Sequence, residues 1–196
     1  MRIALLSNPS SGRGRHAAAD DVARRILTEA GHEVLHVRGS SYEQARDAGR
    51  ALLGDGPHRN IEALVVVGGD GMVHLGVDIV ATTGVPLGIV ATGTGNDIAR
   101  HFGLPSRDAK ASARLINQAL SGKGAITAVD AIYASRPDGT LLAPQRRWSL
   151  AVVSAGVDAA VNARANTLSW PAGEGRYVRA FTAELATLAP YGYRVT

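Results

Sequence analysis

Residues 64–76 read LVVVGGDGMVHLG, and residues 87–100 read LGIVATGTGNDIAR. Each segment is an apolar run that stops at a glycine-rich turn and restarts with helical spacing. Ala63–Val67 is apolar at every position, the pattern of a strand buried on both faces of a parallel sheet. Two strand–turn–helix units offer bare backbone amides and helix N-termini, groups suited to holding a phosphate. At the carboxyl edge of a parallel sheet the two turns would line one crevice, where ligands of such folds bind.

The alternation extends to both sides. Ile3–Ser7 reads as a strand ending in the loop NPSSGRGR (8–15), and Ala17–Ala30 has helical spacing closed by Gly31. His32–Val37 is a second strand. Tyr42–Leu53 is a helix with Ser40 or Ser41 as its cap. Met72–Val80 is a helix, Pro86–Val90 a fourth strand, and Asn96–Phe102 and Arg107–Leu120 are helices. This order predicts a doubly wound α/β domain over residues 1–124. From residue 125 the character changes. Ile126–Ala134 alternates, Pro137-Asp138-Gly139 is a turn, and Trp148–Ser154 runs apolar, which together predict an antiparallel hairpin. Val157–Leu168 and Arg176–Leu188 read as helices, and Tyr191–Thr196 as a strand. A last strand with no partner after it suggests an interrupted domain over residues 125–196.

Composition narrows the chemistry. The 196 residues carry a net charge of +4, and Lys110 and Lys123 are the only lysines among 21 basic side chains. Arginine suits bidentate phosphate contacts, although a compositional bias accounts for the same excess. Cysteine is absent, so disulfides, zinc–thiolate sites and thiol catalysis are excluded. The few scattered aromatics argue against nucleic acid as a partner. The apolar start, Ile3–Leu6, is too short for a signal-peptide core, and no run reaches the ~20 apolar residues of a membrane span. The expected location is cytoplasmic, with any membrane contact peripheral at the inner surface.

Several motifs are eliminated by spacing. Gly12-Arg13-Gly14-Arg15-His16-Ala17 matches G-x-G-x-x-G/A, but it follows an inserted Asn-Pro-Ser-Ser. The second strand leads into Arg38-Gly39-Ser40-Ser41, with no acid for a ribose hydroxyl. No P-loop and no G-x-S-x-G elbow occurs. His32 and His36 would stand ~13 Å apart on a strand, too far for one metal. Asp70 is the one carboxylate of its turn. It could order magnesium, orient the loop or accept a proton from an attacking hydroxyl, or else cap its own helix. Asn96 and Asp97 carry the same choice between ligand and cap.

With these residues laid out, NPSSG at 8–12, GGDG at 68–71, PLGIVATGTGNDIAR at 86–100 and SAGVDA at 154–159 resemble the diacylglycerol kinase catalytic-domain family, lipid kinases distantly similar to NAD kinases. The resemblance implies a phosphofructokinase/NAD-kinase-like α/β fold and transfer of the γ-phosphate of MgATP to a lipid hydroxyl at a membrane surface. It also implies that residues 125–196 are the incomplete start of a β-rich lipid/substrate domain. By position, Asn8, Pro9, Ser10, Ser11, Gly12 and Ser40 would lie beside the nucleotide. Gly68, Gly69, Asp70, Gly71, Met72, Val73 and His74 would wrap the ATP phosphates. Gly93, Thr94 and Asn96 would line the same pocket, Asp97 would hold Mg2+ or the loop, and Asp70 would be catalytic. Arg13, Arg15 and Arg100 are phosphate candidates. Met72 stands where the family usually has threonine or serine, His74-Leu75 replaces an asparagine–glutamate pair, and Thr92 replaces a small residue. Family kinases extend well past 196 residues, so a catalytically silent nucleotide-binding fragment, an NAD kinase-like enzyme and a poorly folding truncated chain are the alternatives, and a homodimer is left open.

Overall fold

The computed structural model describes residues 1–7, 15–39, 41–54, 60–135, 148–171, 173 and 175–187. It divides into two compact units, Met1–Ala151 and Val152–Thr196. In the first, β1 (Arg2–Ser7), β2 (Glu33–Arg38), β3 (Ala63–Gly68) and β4 (Leu87–Ala91) form a parallel sheet in the order β2-β1-β3-β4. Between and after them come α1 (Arg15–Glu29), α2 (Tyr42–Leu53), α3 (Asp70–Val80), α4 (Asp97–His101) and α5 (Ala109–Leu120). The doubly wound expectation is met.

Strand pleating explains the two cores. On one face Ala4, Leu6, Leu64, Val66 and Ile89 pack with Ala45 and Leu53 of α2 and Val73, Val77 and Ile79 of α3. On the other Ile3, Leu5, Val65, Val67 and Val90 pack with Ala23 and Leu27 of α1 and Ala113 and Ile116 of α5. Neighbouring residues point to opposite faces, so a central strand covered on both sides must be apolar throughout, and β3 is buried at all six positions. Glycines let the helices approach. A Cβ on Gly76 of α3 would lie 2.8 Å from both Val66 Cγ1 and Leu87 Cδ1, and one on Gly88 of β4 would lie 3.0 Å from Ile116 Cδ1 and Val65 Cγ2.

Boundaries move where side chains take over from periodicity. Ser41 caps α2 by accepting from Gln44 N at 3.2 Å; Ser40 lies outside the described residues. The helix expected from Arg107 begins at Ala109, because Asp108 accepts from Ala111 N at 2.9 Å and Arg107 has φ +59°, outside helical space. Glycine's poor helix propensity hid the true start of α3 at Asp70, before the expected Met72.

The expected hairpin is reduced to β5 (Ile132–Tyr133) and β6 (Trp148–Ser149), paired antiparallel. Residues 125–130 are exposed and outside any strand, since β6 offers only a two-residue ladder among the described residues. The Tyr133 and Trp148 rings meet with centroids 4.9 Å apart and planes tilted by 53°. The expected turn at 137–139 and strand at 191–196 lie outside the described residues. In the second unit α6 (Val157–Thr167) and α7 (Gly175–Ala186) pack through Val161, Ala165 and Ala180.

Because Gly76 is closed in from two sides, Gly76→Val is expected to destabilise the first unit by about 1–3 kcal/mol. Urea unfolding checks this through a lowered midpoint at unchanged slope.

Candidate functional site

Strand order locates the site. From β1 the chain passes outward to β2, and from β3 it passes the opposite way to β4, so the carboxyl ends of β1 and β3 flank a topological switch point. The turns after β3 and β4 stand on that edge. The loop holding Asn8, Pro9, Ser10, Ser11, Gly12 and Arg13, which follows β1, lies outside the described residues.

The two glycine turns are in backbone contact. Thr92 N donates to Gly68 O at 2.9 Å, carrying the β3–β4 ladder one step further. Beyond it the chains meet at Gly69 and Gly93. A Cβ on Gly93 would lie 2.5 Å from Gly69 Cα and 2.9 Å from Asn96 Oδ1, and a Cβ on Gly69 would lie 3.1 Å from Gly93 Cα. Side chains cannot occupy that space.

Asp70 then ties the turns together. Its Oδ1 accepts from Ile98 N at 3.1 Å, so the carboxylate caps α4 and not its own helix. Its Oδ2 faces Gly95: the Cβ position of Gly95 lies 3.1 Å from Asp70 Oδ2 and 3.2 Å from Asp97 Oδ2. Two carboxylates thus flank one glycine. Asp97 is also paired with the exposed Arg100. Among the described residues no cluster of three metal-ligating side chains occurs, so a cation here would need ligands from elsewhere, as magnesium takes from phosphates.

The remaining expected residues sort by burial. Gly71 is exposed at the start of α3, and nothing among the described residues lies within 4 Å of its Cβ position. Thr94 is also exposed. Met72 folds against Gly68, whose Cβ would collide with it, and joins the apolar core. Val73 is buried in that core, leaving only its backbone near the turn. His74 Nε2 lies 3.1 Å from Ser149 Oγ, joining α3 to β6. Asn96 is 1% exposed, with φ +55°. Its Nδ2 donates to Gly93 O at 3.0 Å and to Ser106 Oγ at 2.9 Å, which braces the turn from inside.

One participant had no sequence signal. Arg107 donates from Nε to Gly93 O at 3.4 Å and from Nη2 to Thr94 O at 2.8 Å, across more than a dozen residues. A further cluster invites a catalytic reading and does not support one. His36 Nε2 lies 3.2 Å from Ser7 Oγ and 2.8 Å from Asp20 Oδ2, and a proton relay needs a different ring nitrogen for each partner. His32, by contrast, contacts Asn117 Oδ1 at 2.9 Å, so the two histidines share no ligand position.

The sequence matches the Diacylglycerol kinase catalytic domain over residues 2–129. The chain belongs to that family. Residues 151–196 match the YegS C-terminal NAD kinase beta sandwich-like domain. Diacylglycerol kinase of Mycobacterium tuberculosis, from strains CDC 1551 / Oshkosh and ATCC 25618 / H37Rv, is 34% identical over 194 residues. The match covers 99% of this chain and 58% of each relative, so the chain spans little more than half their length. Solved structures of a putative diacylglycerol kinase from Bacillus anthracis str. Sterne are 24% identical. One has a TM-score of 0.48, with 60% of this chain and 39% of that one covered; another has 0.49, with 60% and 37%.

In this diacylglycerol kinase-family chain Asp70 has a structural duty that needs no ligand. Asp70→Ala is expected to lower stability by about 0.5–2 kcal/mol through loss of the α4 cap. Asp70→Asn keeps an acceptor oxygen and most of that stability. Thermal melts of the two variants without nucleotide make the comparison.

Proposed function

We propose that this chain binds MgATP at the paired glycine turns and serves a kinase that transfers the γ-phosphoryl group to the hydroxyl of a diacylglycerol-like lipid at a membrane surface. The observation that carries the reading is Gly71. It sits in the first turn of α3, where alanine would stabilise the helix by up to about 1 kcal/mol, and none of the described residues closes on it. A glycine that packing does not require suits close approach by a ligand to the backbone. Met72 N and Val73 N donate to Gly69 O, which leaves the amides of Asp70 and Gly71 without intrahelical acceptors, as a phosphate site needs.

The donor set fits the magnesium as well. Asp97, with Asp70 close by, presents carboxylate oxygen at Gly95, and the ion would neutralise phosphate charge when bound. The chain's own part is positioning. α3 amides orient the phosphates, Asn96 and Arg107 hold the β4 turn, and Asp70 Oδ2, not engaged with Ile98, is placed to take the proton of the lipid hydroxyl. The lipid oxygen forms a bond to the γ-phosphorus as the bond to the bridging oxygen of ADP breaks, and the hydroxyl proton passes to Asp70. In this reading Asn8–Gly12 and Ser40 complete the nucleotide crevice. No helix among the described residues is long and apolar enough to cross a membrane, consistent with peripheral access to a lipid.

The test is Gly71→Ala. Its thermal midpoint is expected to equal or exceed that of the parent, while MgATP affinity in calorimetry falls by about tenfold or more. Equal affinity in parent and variant contradicts the reading. For the reaction, radiolabelled phosphate from ATP should appear in diacylglycerol presented in mixed micelles; label in NAD instead favours an NAD kinase.

A further inference from the structure

We infer that Arg107 is a positioning residue that sets the β4 turn for anion binding, an inference that rests on the nucleotide reading above. Three bonds define its place. Arg107 N donates to Ala91 O at 2.8 Å beside the Ala91–Ser106 bridge, so the segment after α4 is tied to the last residue of β4. The side chain then turns back over the loop and donates to two successive carbonyls, Gly93 O and Thr94 O.

The consequence follows from peptide geometry. In a planar trans peptide the N–H points opposite to the C=O. With the carbonyls of Gly93 and Thr94 drawn to one guanidinium, the N–H groups of Thr94 and Gly95 are directed away from it. Neither amide has an acceptor among the described residues. Two successive amides turned to the same side form an anion-binding concavity. Asn96 supports the same orientation from within the fold, since its Nδ2 also donates to Gly93 O.

Backbone strain argues that this side chain is kept for its contacts. Arg107 sits at φ +59°, a left-handed conformation that glycine or asparagine adopts more readily. A residue serving only as a turn would be served better by either. The fork also needs arginine: a lysine ammonium places a similar charge by the loop but cannot present a rigid planar pair of N–H groups to two carbonyls.

The experiment compares the parent with Arg107→Gly, Arg107→Asn and Arg107→Lys by MgATP calorimetry, thermal melting and backbone amide NMR. The expected result is thermal midpoints of the glycine and asparagine variants at or above the parent's, with MgATP dissociation constants raised about tenfold in all three variants. Amide signals of Thr94 and Gly95 should shift in the nucleotide-free variants while Gly71 stays in place. Parent-like affinity in Arg107→Gly and Arg107→Asn overturns the inference, and full affinity in Arg107→Lys reduces the role to charge alone, which also overturns it. Absence of MgATP binding by the parent overturns this inference together with the nucleotide reading. An impaired Gly71→Ala beside an Arg107→Gly of parent-like affinity overturns this inference alone.

Discussion

The site depends on a backbone-to-backbone approach between Gly69 and Gly93, where Gly93 has no room for a Cβ and Gly69 has only a tight fit for one. Parallel strands β3 and β4 deliver their turns side by side, and the bond from Thr92 N to Gly68 O holds the chains together to the point of contact. The candidate groups are then arranged around that seam. α3 starts directly after it, α4 is capped across it by Asp70, and the carboxylates of Asp70 and Asp97 converge on Gly95. A side chain at Gly93 would part the turns and separate those groups.

The glycines of the two turns serve different physical ends. Gly69 and Gly93 satisfy the fold, Gly68 makes room for Met72, and Gly71 satisfies no packing constraint among the described residues. That division separates what the scaffold requires from what a ligand would require. It also gives Met72 a definite place: the side chain that replaces a hydroxyl covers Gly68 and extends the core. The anion chemistry in the proposal accordingly rests on amides, which any residue but proline supplies.

Much of this was legible in the sequence because the deciding patterns are local. The uninterrupted apolar run of β3 and its glycine stop are written in consecutive residues, and burial on both faces leaves no other reading. The order of motifs likewise led to the family. Contacts across sequence distance were not legible. The sequence leaves Asp70 a choice between a ligand or proton-accepting role and a cap for its own helix; the backbone partner it has is Ile98 N, in the next strand–turn–helix unit. Asn96 was read as lining a pocket, and its side chain proves to be a buried brace between Gly93 and Ser106. Arg107 was read as a helix residue because the left-handed turn that places it follows from a bond to Ala91, which no periodicity encodes. The hairpin was overextended for a related reason: alternation marks residues able to form a strand, while the length formed depends on a partner.

The central claim is that the seam of the two glycine turns presents amides to a phosphate. A titration of the isotopically labelled chain with MgATP, followed through its backbone amide signals, tests it most directly. The account predicts that Asp70, Gly71, Thr94 and Gly95 shift earliest and farthest, with the α1–α5 face unmoved. Saturating MgATP that leaves those four amides in place, or that shifts signals on the α1–α5 face instead, would contradict it.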